Sequence, residues 1–430
     1  MEGRITRLTS YFHKKNVMYL MSRDQRLYEN YSVAFAYWKS YETSSSLFIA
    51  IDPSSIKANT RQKSFMYEGL VELEKECKEK NVHFRITNDY KSLVAEQEID
   101  CIVLDYSPLR EYIAQKESVR SFCEDKKISL FICDSHNIVP CQLLEVYKRT
   151  GKSVKMYLSK FSDEYLVEFK EVETHKYNDP LKVNQHVNII PQNTEEKSKF
   201  RGGYSEGMKE VESFFKNRFH EFSALRGKAD YNSLSNLSPW LHSGHISAQK
   251  VLLLAMSRFK KNDENLLSFI NEMFHWREIA EHFCLHEPNY DNLSGALQWA
   301  QDSLNAHRQD VRSIYSLQDL ENAQTDIEIW NCAQKELVLT GKMHGHIRMF
   351  WAKQLLKWTH SPEEALRIAI LFNDKYSIDG NDPSGYLGVM WCICGSMDQG
   401  FKDRPITGKI RPMNPPKSPL YIKKWSRKAI

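Results

Sequence analysis

Short apolar runs alternate with helical stretches through the first 140 residues, and this alternation limits the fold more than any other feature of the chain. Strands that alternate with helices form parallel sheets whose two faces are both covered. We therefore predict an α/β domain over residues 1–150. Its strands are predicted at residues 17–21, 47–51, 82–86, 102–104 and 130–133. One helical run between them comprises Phe65, Met66, Leu70, Leu73 and Cys77.

Beyond the first domain the sequence changes character twice. Residues 151–204 are polar and charged, and Asp-Pro, Ile-Pro and Gly-Gly pairs interrupt them, which predicts a long connector. From residue 205 to residue 430 strand signals nearly vanish and amphipathic helical patterns dominate. We therefore predict an all-α second domain, and a chain of 430 residues is long enough for two separate cores.

Composition narrows the class of protein. A hydrophobic content of 41% and a charged content of 27% are typical of globular proteins in water, and no apolar run approaches a membrane span. The start of the chain has no hydrophobic signal region, so export is not expected. Nine cysteines without a repeated CxxC pattern favour reduced thiols and a reducing compartment. The net charge of +4 permits nucleic-acid binding without indicating it.

Three tryptophans, Trp330, Trp351 and Trp358, fall in what reads as one long helical stretch. Trp351 and Trp358 are seven residues apart, so on a helix they would share a stripe about 10 Å apart along the axis. Indole rings at such spacing would relay an electron between a buried redox centre and the surface. The alternative is ordinary core packing, which the pattern alone favours.

Ten segments, taken in order along the chain, change that balance. Those in the first half are 21–26 (MSRDQR), 105–110 (DYSPLR) and 134–140 (DSHNIVP). Those in the second half are 235–242 (SNLSPWLH), 330–334 (WNCAQ), 341–345 (GKMHG), 348–353 (RMFWAK), 371–376 (LFNDKY), 379–386 (DGNDPSGY) and 408–411 (GKIR). Together they resemble class II cyclobutane pyrimidine dimer photolyases of the photolyase/cryptochrome family, and the resemblance covers nearly the whole chain.

The resemblance implies a Rossmann-like α/β photolyase domain followed by an all-α FAD-binding domain. It implies a deoxyribodipyrimidine photo-lyase, which repairs pyrimidine dimers in double-stranded DNA by electron transfer from photoexcited, reduced FAD to the flipped-out dimer. It further implies a monomer in the nucleus or cytoplasm, with neither a metal nor a membrane partner. A second, antenna chromophore stays open between a deazaflavin, a folate and none. The alternative functions are a cryptochrome-like photoreceptor without repair and repair of the (6-4) photoproduct.

By the same resemblance, one set of residues would hold the flavin. It comprises Ser235, Asn236, Leu237, Ser238, Arg348, Asn373, Asp379 and Gly380. The first four would bind the flavin phosphates, or else form an ordinary helix N-cap before Pro239. Arg348 and Asp379 would form an ion pair beside the flavin. Asn373 would face flavin N5, where an amide hydrogen-bonds either protonation state; its alternative is a helix C-cap.

A second set would act on the substrate and on electron transfer. Residues implied to line the lesion pocket are Glu272, Trp276, Met349 and Trp391. Tryptophan faces would hold the apolar dimer, and the carboxyl group would hydrogen-bond a pyrimidine edge. Arg226 would lie at the DNA surface with Asp398 as its acidic partner. Trp351 would lie next to the flavin, Trp330 in the middle and Trp358 near the surface; with Glu272 and Asn373 these are the implied catalytic residues.

The chain departs from the family pattern at a few positions. Phe222 replaces a usual tyrosine, Asn381 a usual arginine, and Gln399 and Phe401 stand where arginine and tryptophan are common. These departures bear on DNA docking more than on flavin binding. His282, Cys284 and His286 lack a second cluster that would complete a zinc site, so no metal is predicted.

Overall fold

The computed structural model describes residues 3–183 and 199–430, and these form two compact units. The first unit comprises Met1–Glu145, Lys160–Glu212 and Asn236–Phe259. The second comprises Val146–Ser159, Ser213–Ser235 and Lys260–Ile430. The units therefore interleave along the chain, whereas the sequence predicts three consecutive segments. Residues 184–198 of the predicted connector, which include its Ile190-Pro191 pair, lie outside the described residues.

The first unit is built on a six-stranded sheet of order β1-β6-β5-β2-β3-β4. Its strands are β1 (Ile5–Arg7), β2 (Asn16–Met21), β3 (Leu47–Ile51), β4 (His83–Ile86), β5 (Ile99–Asp105) and β6 (Ser129–Cys133). Strands β2 to β6 pair in parallel, as predicted, and β1 pairs antiparallel with β6. The prediction missed β1, since a three-residue strand without buried residues gives no apolar run.

Four helices connect the parallel strands: α1 (Tyr31–Glu42), α2 (Thr60–Glu79), α3 (Tyr90–Glu96) and α4 (Arg110–Lys126). A capping box between Asn59 and Gln62 starts α2. The apolar run predicted from its spacing lies on this helix, and Met66, Leu70 and Leu73 pack in the core beneath the sheet. All five residues of β3 are buried, as expected of a strand covered on both faces.

The carboxyl ends of the central strands carry a buried polar network. Asp105, at the end of β5, accepts hydrogen bonds from the backbone N–H groups of Ser22 and Arg23 (2.8 Å each) and from the Tyr19 hydroxyl (2.6 Å). Asp24 accepts one from Arg26 Nη1 (2.7 Å), and both side chains are 1% exposed or less. Two segments that resemble the family, 21–26 and 105–110, thus supply this network.

Helices account for nearly all regular structure beyond the sheet. In chain order they are α5 (Gly151–Leu158), α6 (Ser162–Tyr165), α7 (Tyr204–Asn217), α8 (Phe222–Leu225), α9 (Ser238–His242), α10 (Ala248–Arg258), α11 (Glu264–Ile270), α12 (Arg277–His286), α13 (Gln298–Ala306), α14 (Leu317–Glu321), α15 (Glu328–Thr340), α16 (Gly345–Trp358), α17 (Pro362–Tyr376), α18 (Pro383–Cys394) and α19 (Pro419–Trp425). Short 3₁₀ turns occupy Cys141–Leu143, Phe219–Glu221 and Leu293–Gly295. The fold class is confirmed: a mainly parallel α/β sheet and a helical part.

None of the described helices combines the length and the apolar character that crossing a bilayer requires. All nine cysteines are buried, and none of them forms a disulfide bond.

Candidate functional site

Glu272 and Trp276 lie on a π-helical segment, Asn271–Trp276, which joins α11 to α12 without a break. A π segment is rare and occurs frequently at functional sites. Met273 and Phe274 point into the core, whereas Glu272 and Trp276 are half-buried. Because these two are four residues apart, close to one turn, the carboxyl group and the indole project from neighbouring positions on one face.

Trp276 and Trp391 form a continuous aromatic surface, here called the aromatic wall. Trp391 lies on α18, and the two rings stack with centroids 4.8 Å apart and planes 28° apart. Both indoles are half-buried. At this separation no base fits between the rings, so a ligand would pack against the parts of the two indoles that stay exposed. The two predicted pocket residues are 115 positions apart in sequence (391 − 276), and the fold brings them into contact.

Glu272 is paired with Arg226. Arg226 Nη1 lies 3.0 Å from Glu272 Oε1, and the side chains are 38% and 36% exposed. Asn271 Nδ2 donates a second hydrogen bond to the same carboxyl oxygen, at 3.2 Å. An ion pair this exposed contributes about 0–1 kcal/mol, so an entering ligand would exchange it at little cost.

The sequence predicts Asp398 as the partner of Arg226, and the structure gives that place to Glu272. Arg226 directly follows α8, and α8 is tied to α11 by a hydrogen bond from Ser223 N to Asn265 Oδ1 (2.9 Å). The guanidinium therefore reaches the π segment. Asp398 lies in the loop after α18, where its backbone N–H donates to Gly395 O. Among the described residues it forms no salt bridge with Arg226.

Asp379 pairs with two cations. Arg348 Nη2 lies 3.4 Å from Asp379 Oδ1, and Lys342 Nζ lies 3.2 Å from Asp379 Oδ2. The Arg348 pair is the one that the sequence predicts, and Met349 follows it on α16 as a half-buried side chain. Lys342 was missed, although it lies within the matched GKMHG segment. The residue after Asp379, Gly380, has no room for a side chain, because a Cβ there would lie 2.8 Å from the Asn373 carbonyl oxygen.

Asn373 is buried inside α17, at 5% exposure, and its Nδ2 donates to Asp374 Oδ1 at 3.0 Å. The helix continues to Tyr376 and is capped at Ser377, so the C-cap alternative for Asn373 is wrong. Gly385 on α18 leaves room for the amide, since a Cβ there would lie 2.9 Å from Asn373 Nδ2.

Buried polar atoms at the start of α16, which carries Arg348, lack a protein partner among the described residues. Among the described residues, both ring nitrogens of His344 and the Nε of Arg348 are shielded from solvent without a hydrogen bond. Burial lowers the pKa of His344 to about 4, so the imidazole is neutral at pH 7 and offers one donor and one acceptor. Buried polar groups are rarely left unpaired, so these atoms fit a polar ligand such as the edge of a flavin.

The three tryptophans are in contact, on two helices rather than the single stretch predicted. Gly341, with φ +73°, ends α15 before α16 begins. The ring of Trp330 stacks on Trp351 (centroids 6.1 Å, planes 12° apart) and meets Trp358 edge-on at 5.3 Å. Trp330 therefore lies between the other two. Trp358 is 5% exposed, and its ring contacts the half-buried Tyr315 at 5.2 Å.

The predicted phosphate loop straddles the division between the units. Ser235 belongs to the second unit, and Asn236, Leu237 and Ser238 belong to the first. Asn236 has φ +61°, a left-handed conformation that asparagine tolerates. Leu237 occupies the N-cap position of α9 and makes no side-chain capping bond, so the simple N-cap alternative is not observed.

Two departures from the family pattern have local explanations. Phe222 is buried in a phenylalanine cluster of the second unit, where it meets Phe214 and Phe269 edge-on, and a hydroxyl would have to be accommodated among these rings. Asn381 has φ +54°, and its backbone N–H donates to Asp374 Oδ1 (2.9 Å) in the turn after Gly380. Asparagine is one of the few residues favoured at positive φ.

His282 and His286, which were weighed as metal ligands, pack against an aromatic ring instead. The rings of His282 and His286 lie 4.5 Å apart and both contact Tyr147. Burial lowers the pKa of His282 to about 3, and its Nε2 accepts a hydrogen bond from Lys148 N at 2.9 Å. Among the described residues no group of three or more potential ligands could hold a metal ion.

Known proteins resemble this chain both in sequence and in fold. A family model described as DNA photolyase matches residues 17–175. The deoxyribodipyrimidine photo-lyase of Potorous tridactylus is 35% identical over 413 residues, which are 92% of this chain and 77% of the relative. That of Oryza sativa subsp. japonica is 36% identical over 426 residues, 93% of this chain and 84% of the relative. An archaeal photolyase from Sulfolobus tokodaii, solved with two FAD molecules, shares the fold with a TM-score of 0.72 at 20% identity, covering 96% of this chain and 90% of that one.

Proposed function

Since the chain belongs to the DNA photolyase family and is an enzyme of the deoxyribodipyrimidine photo-lyase type, we propose that it repairs cyclobutane pyrimidine dimers in double-stranded DNA under light, as a class II member. The active cofactor would be reduced FAD, and the protein would act as a monomer. The observation that carries the proposal is the pairing of the aromatic wall with a half-exposed carboxylate, Glu272, one turn away. For the second chromophore the alternatives are a deazaflavin, a folate and none, and for the compartment they are the nucleus and the cytoplasm.

The aromatic wall would hold the dimer after it leaves the duplex. A dimer distorts base stacking, which lowers the cost of flipping and selects for damage. Its saturated rings are bulky and largely apolar, so they would gain contact area against Trp276 and Trp391. Both indoles are half-buried, so part of each ring is open to a ligand. Stacking on an aromatic side chain contributes about 1–3 kcal/mol per base.

Glu272 and Arg226 would change partners when the dimer enters. Their mutual pair is half-exposed and therefore weak. Glu272 would hydrogen-bond a pyrimidine edge and hold the lesion at a fixed orientation. Arg226, once released, would pair with a DNA phosphate, for which a guanidinium is suited by its paired donors. Asn271, which donates to Glu272, would keep the carboxyl group pointing outward.

The polar residues around Asp379 would hold the flavin. Arg348 and Lys342 make the surroundings of Asp379 cationic, and His344 and Arg348 have donors to spare. Asn373 would bind the ring edge, and Ser235, Asn236, Leu237 and Ser238 the phosphates. When bound, reduced FAD would absorb near-ultraviolet or blue light and supply the electron that opens the cyclobutane ring, with no net redox change.

The tryptophans would serve activation rather than repair. Trp358, Trp330 and Trp351 touch in that order, so an electron would pass along them from the outer ring to the inner one. Their contacts hold the order rigidly: Trp330 Nε1 donates to Trp351 O and Trp351 Nε1 to Gln334 Oε1, both at 3.0 Å.

The test is repair of a thymine-dimer oligonucleotide by the purified, reduced protein, in light and in darkness. Light-dependent recovery of intact thymines supports the proposal. Flavin binding without recovery would overturn it and favour a photoreceptor. Recovery on a (6-4) photoproduct instead would overturn the assigned lesion while keeping the enzyme class.

A further inference from the structure

A buried lysine lies beside the carboxyl end of α18, the helix that carries Trp391. Lys353 belongs to α16, four residues after Met349 and therefore on the same face of that helix. The residue is only 8% exposed, although lysine is almost never fully buried without a partner. It lies in the matched 348–353 segment, and the sequence predicted no role for it.

Lys353 supplies a hydrogen bond that the end of α18 lacks. The last four carbonyl groups of an α-helix have no donor within the helix. In α18 the Gly395 N–H donates to Trp391 O at 3.1 Å, and Lys353 Nζ donates to Cys392 O at 3.0 Å. A cation at this end also interacts favourably with the helix dipole. The two bonds thus hold consecutive carbonyl groups, that of Trp391 and that of the residue after it.

The same lysine lies within electrostatic reach of the loop that follows α18. Burial lowers the pKa of Lys353; Cys392 and Asp398 oppose that shift, and Arg411 adds to it. Ser396 in this loop is 3% exposed. Among the described residues its Oγ and the Oδ2 of Asp398 are shielded from solvent without a hydrogen bond. The loop therefore brings a carboxylate close to the buried ammonium group, although the sequence predicted another partner for that carboxylate.

We propose that Lys353 is a positioning residue, which holds Trp391 and residues 395–398 in the arrangement that receives the dimer. The inference rests on the proposed function. Without the ammonium group, the Cys392 carbonyl would lose its donor and Asp398 a neighbouring positive charge. The end of α18 would then loosen, and the ring of Trp391 would no longer be held against Trp276. Because Lys353 is buried, it acts on the dimer through Trp391 and the loop rather than by contact.

The experiment measures the preference of the flavin-loaded protein for a dimer-containing duplex over an undamaged one, as the ratio of the two dissociation constants. Lys353→Met keeps a long, unbranched side chain but removes the charge and the donor. The preference is expected to fall about 10-fold, which is within what stacking of one base contributes. The matched control, Lys357→Met, removes a charge from an exposed position one turn later on α16 and should leave the ratio unchanged. A general loss of stability lowers the folded fraction and does not move this ratio.

Hydrogen exchange in the free protein separates positioning from contact with DNA. The amides of residues 391–398 are expected to exchange faster in Lys353→Met than in the parent, and to exchange as in the parent in Lys357→Met. Asp398→Asn keeps the size of that side chain, removes its charge and leaves Lys353 in place to cap α18. It should also exchange faster in residues 395–398 and lose part of the preference, so the tie to the loop is tested even if Lys353→Met does not fold.

The combined outcomes decide the inference separately from the proposed function. Unchanged exchange in both variants would overturn the inference, as would an equal loss of affinity for damaged and undamaged duplex. Faster exchange with an unchanged preference would also overturn it, since Lys353 would then serve the fold alone. A parent without any preference for damaged DNA would overturn the proposed function, while the exchange of residues 391–398 would still decide whether Lys353 holds the end of α18.

Discussion

The two units each contain an arginine–carboxylate pair, and the two pairs differ in what they can do. In the first unit Arg26 and Asp24 are 1% and 0% exposed, and Arg26 also donates to the carbonyl oxygens of Glu29, Ser135 and Gly244. In the second unit Arg226 and Glu272 are more than a third exposed. A buried pair cannot exchange partners without leaving a charge stranded, whereas an exposed one exchanges at little cost. The buried Arg26–Asp24 pair therefore belongs to a structural network, whereas the exposed Arg226–Glu272 pair is suited to a binding site.

The largest expected effect is on the buried network. Replacing Asp24 with Ala leaves Arg26 charged, buried and without its carboxylate, and we expect a loss of about 3–5 kcal/mol in the free energy of unfolding. Urea denaturation followed by circular dichroism measures it. The matched control is Glu272→Ala, for which we expect less than about 1 kcal/mol, because its pair is exposed. Equal losses in the two variants would show that the buried and the exposed ion pair do not differ in their contribution to stability.

The second effect concerns a group that is both buried and functional. Trp351→Phe removes the donor to Gln334 Oε1 and leaves that buried oxygen without this hydrogen bond, so we expect a destabilisation of about 1–3 kcal/mol. It also removes the innermost ring of the relay. Photoreduction of the oxidised flavin should be blocked, while enzyme reduced chemically should still repair. Light-induced absorbance changes measure the first, and the repair assay measures the second; a variant that photoreduces normally would contradict the assigned relay.

The third effect tests the exposed pair in its functional role. Glu272→Ala should leave flavin binding intact and slow repair about 10- to 100-fold, since a hydrogen bond to a charged group contributes about 1.5–3 kcal/mol. Single-turnover repair of a dimer oligonucleotide by the reduced variant gives the rate. Arg226→Ala serves as the comparison, because it frees the carboxylate without removing it and should mainly weaken DNA binding. Unchanged repair by the Glu272 variant would remove that residue from the site.

The sequence predicted those parts of the molecule that depend on local pattern. Every strand of the parallel sheet was located, because each is an apolar run between turns, and β1 was missed because it is not. The pairing of Arg348 with Asp379 came through the resemblance, as did the grouping of Trp276 and Trp391 in one pocket, where the structure brings their rings into contact. No periodicity in the sequence separates these contacts from ordinary core packing.

The remainder depends on tertiary placement that no local pattern encodes. Arg226 was assigned to Asp398 and pairs with Glu272, because the packing of α8 on α11 decides which carboxylate the guanidinium reaches. The π segment has no sequence signature, and yet it sets the face on which Glu272 and Trp276 project. The sequence predicted no role for His344 beyond its place in the matched 341–345 segment, since its isolation from other polar groups appears only once the helices are packed.

The smallest expected effect comes from a third, partly exposed ion cluster in the second unit, which extends the comparison to pH. His307 Nδ1 lies 2.6 Å from Asp310 Oδ2, and His307 Nε2 lies 3.0 Å from Asp403 Oδ2. Hydrogen bonds to Asp310 and then Asp403 raise the pKa of His307 above its usual 6.5. Asp310 also accepts the backbone N–H of Ile406, whose φ of +67° is strained for a β-branched residue.

The direction of the pH effect follows from that raised pKa. The folded protein holds the His307 proton more tightly than the unfolded chain, so the stabilisation is complete below pH 6.5 and is lost as pH rises through the folded pKa. The buried Asp24 behaves oppositely: burial would raise its pKa, but Arg26 and His136 lower it below the usual range, so its contribution is lost only in acid. We therefore expect Tm to fall modestly between pH 6 and pH 8.5, and His307→Gln to remove that part of the fall while Asp24→Asn leaves it in place. A pH profile of Tm in the His307→Gln variant that is identical to the parent's would show that the His307 cluster contributes nothing to stability in this pH range.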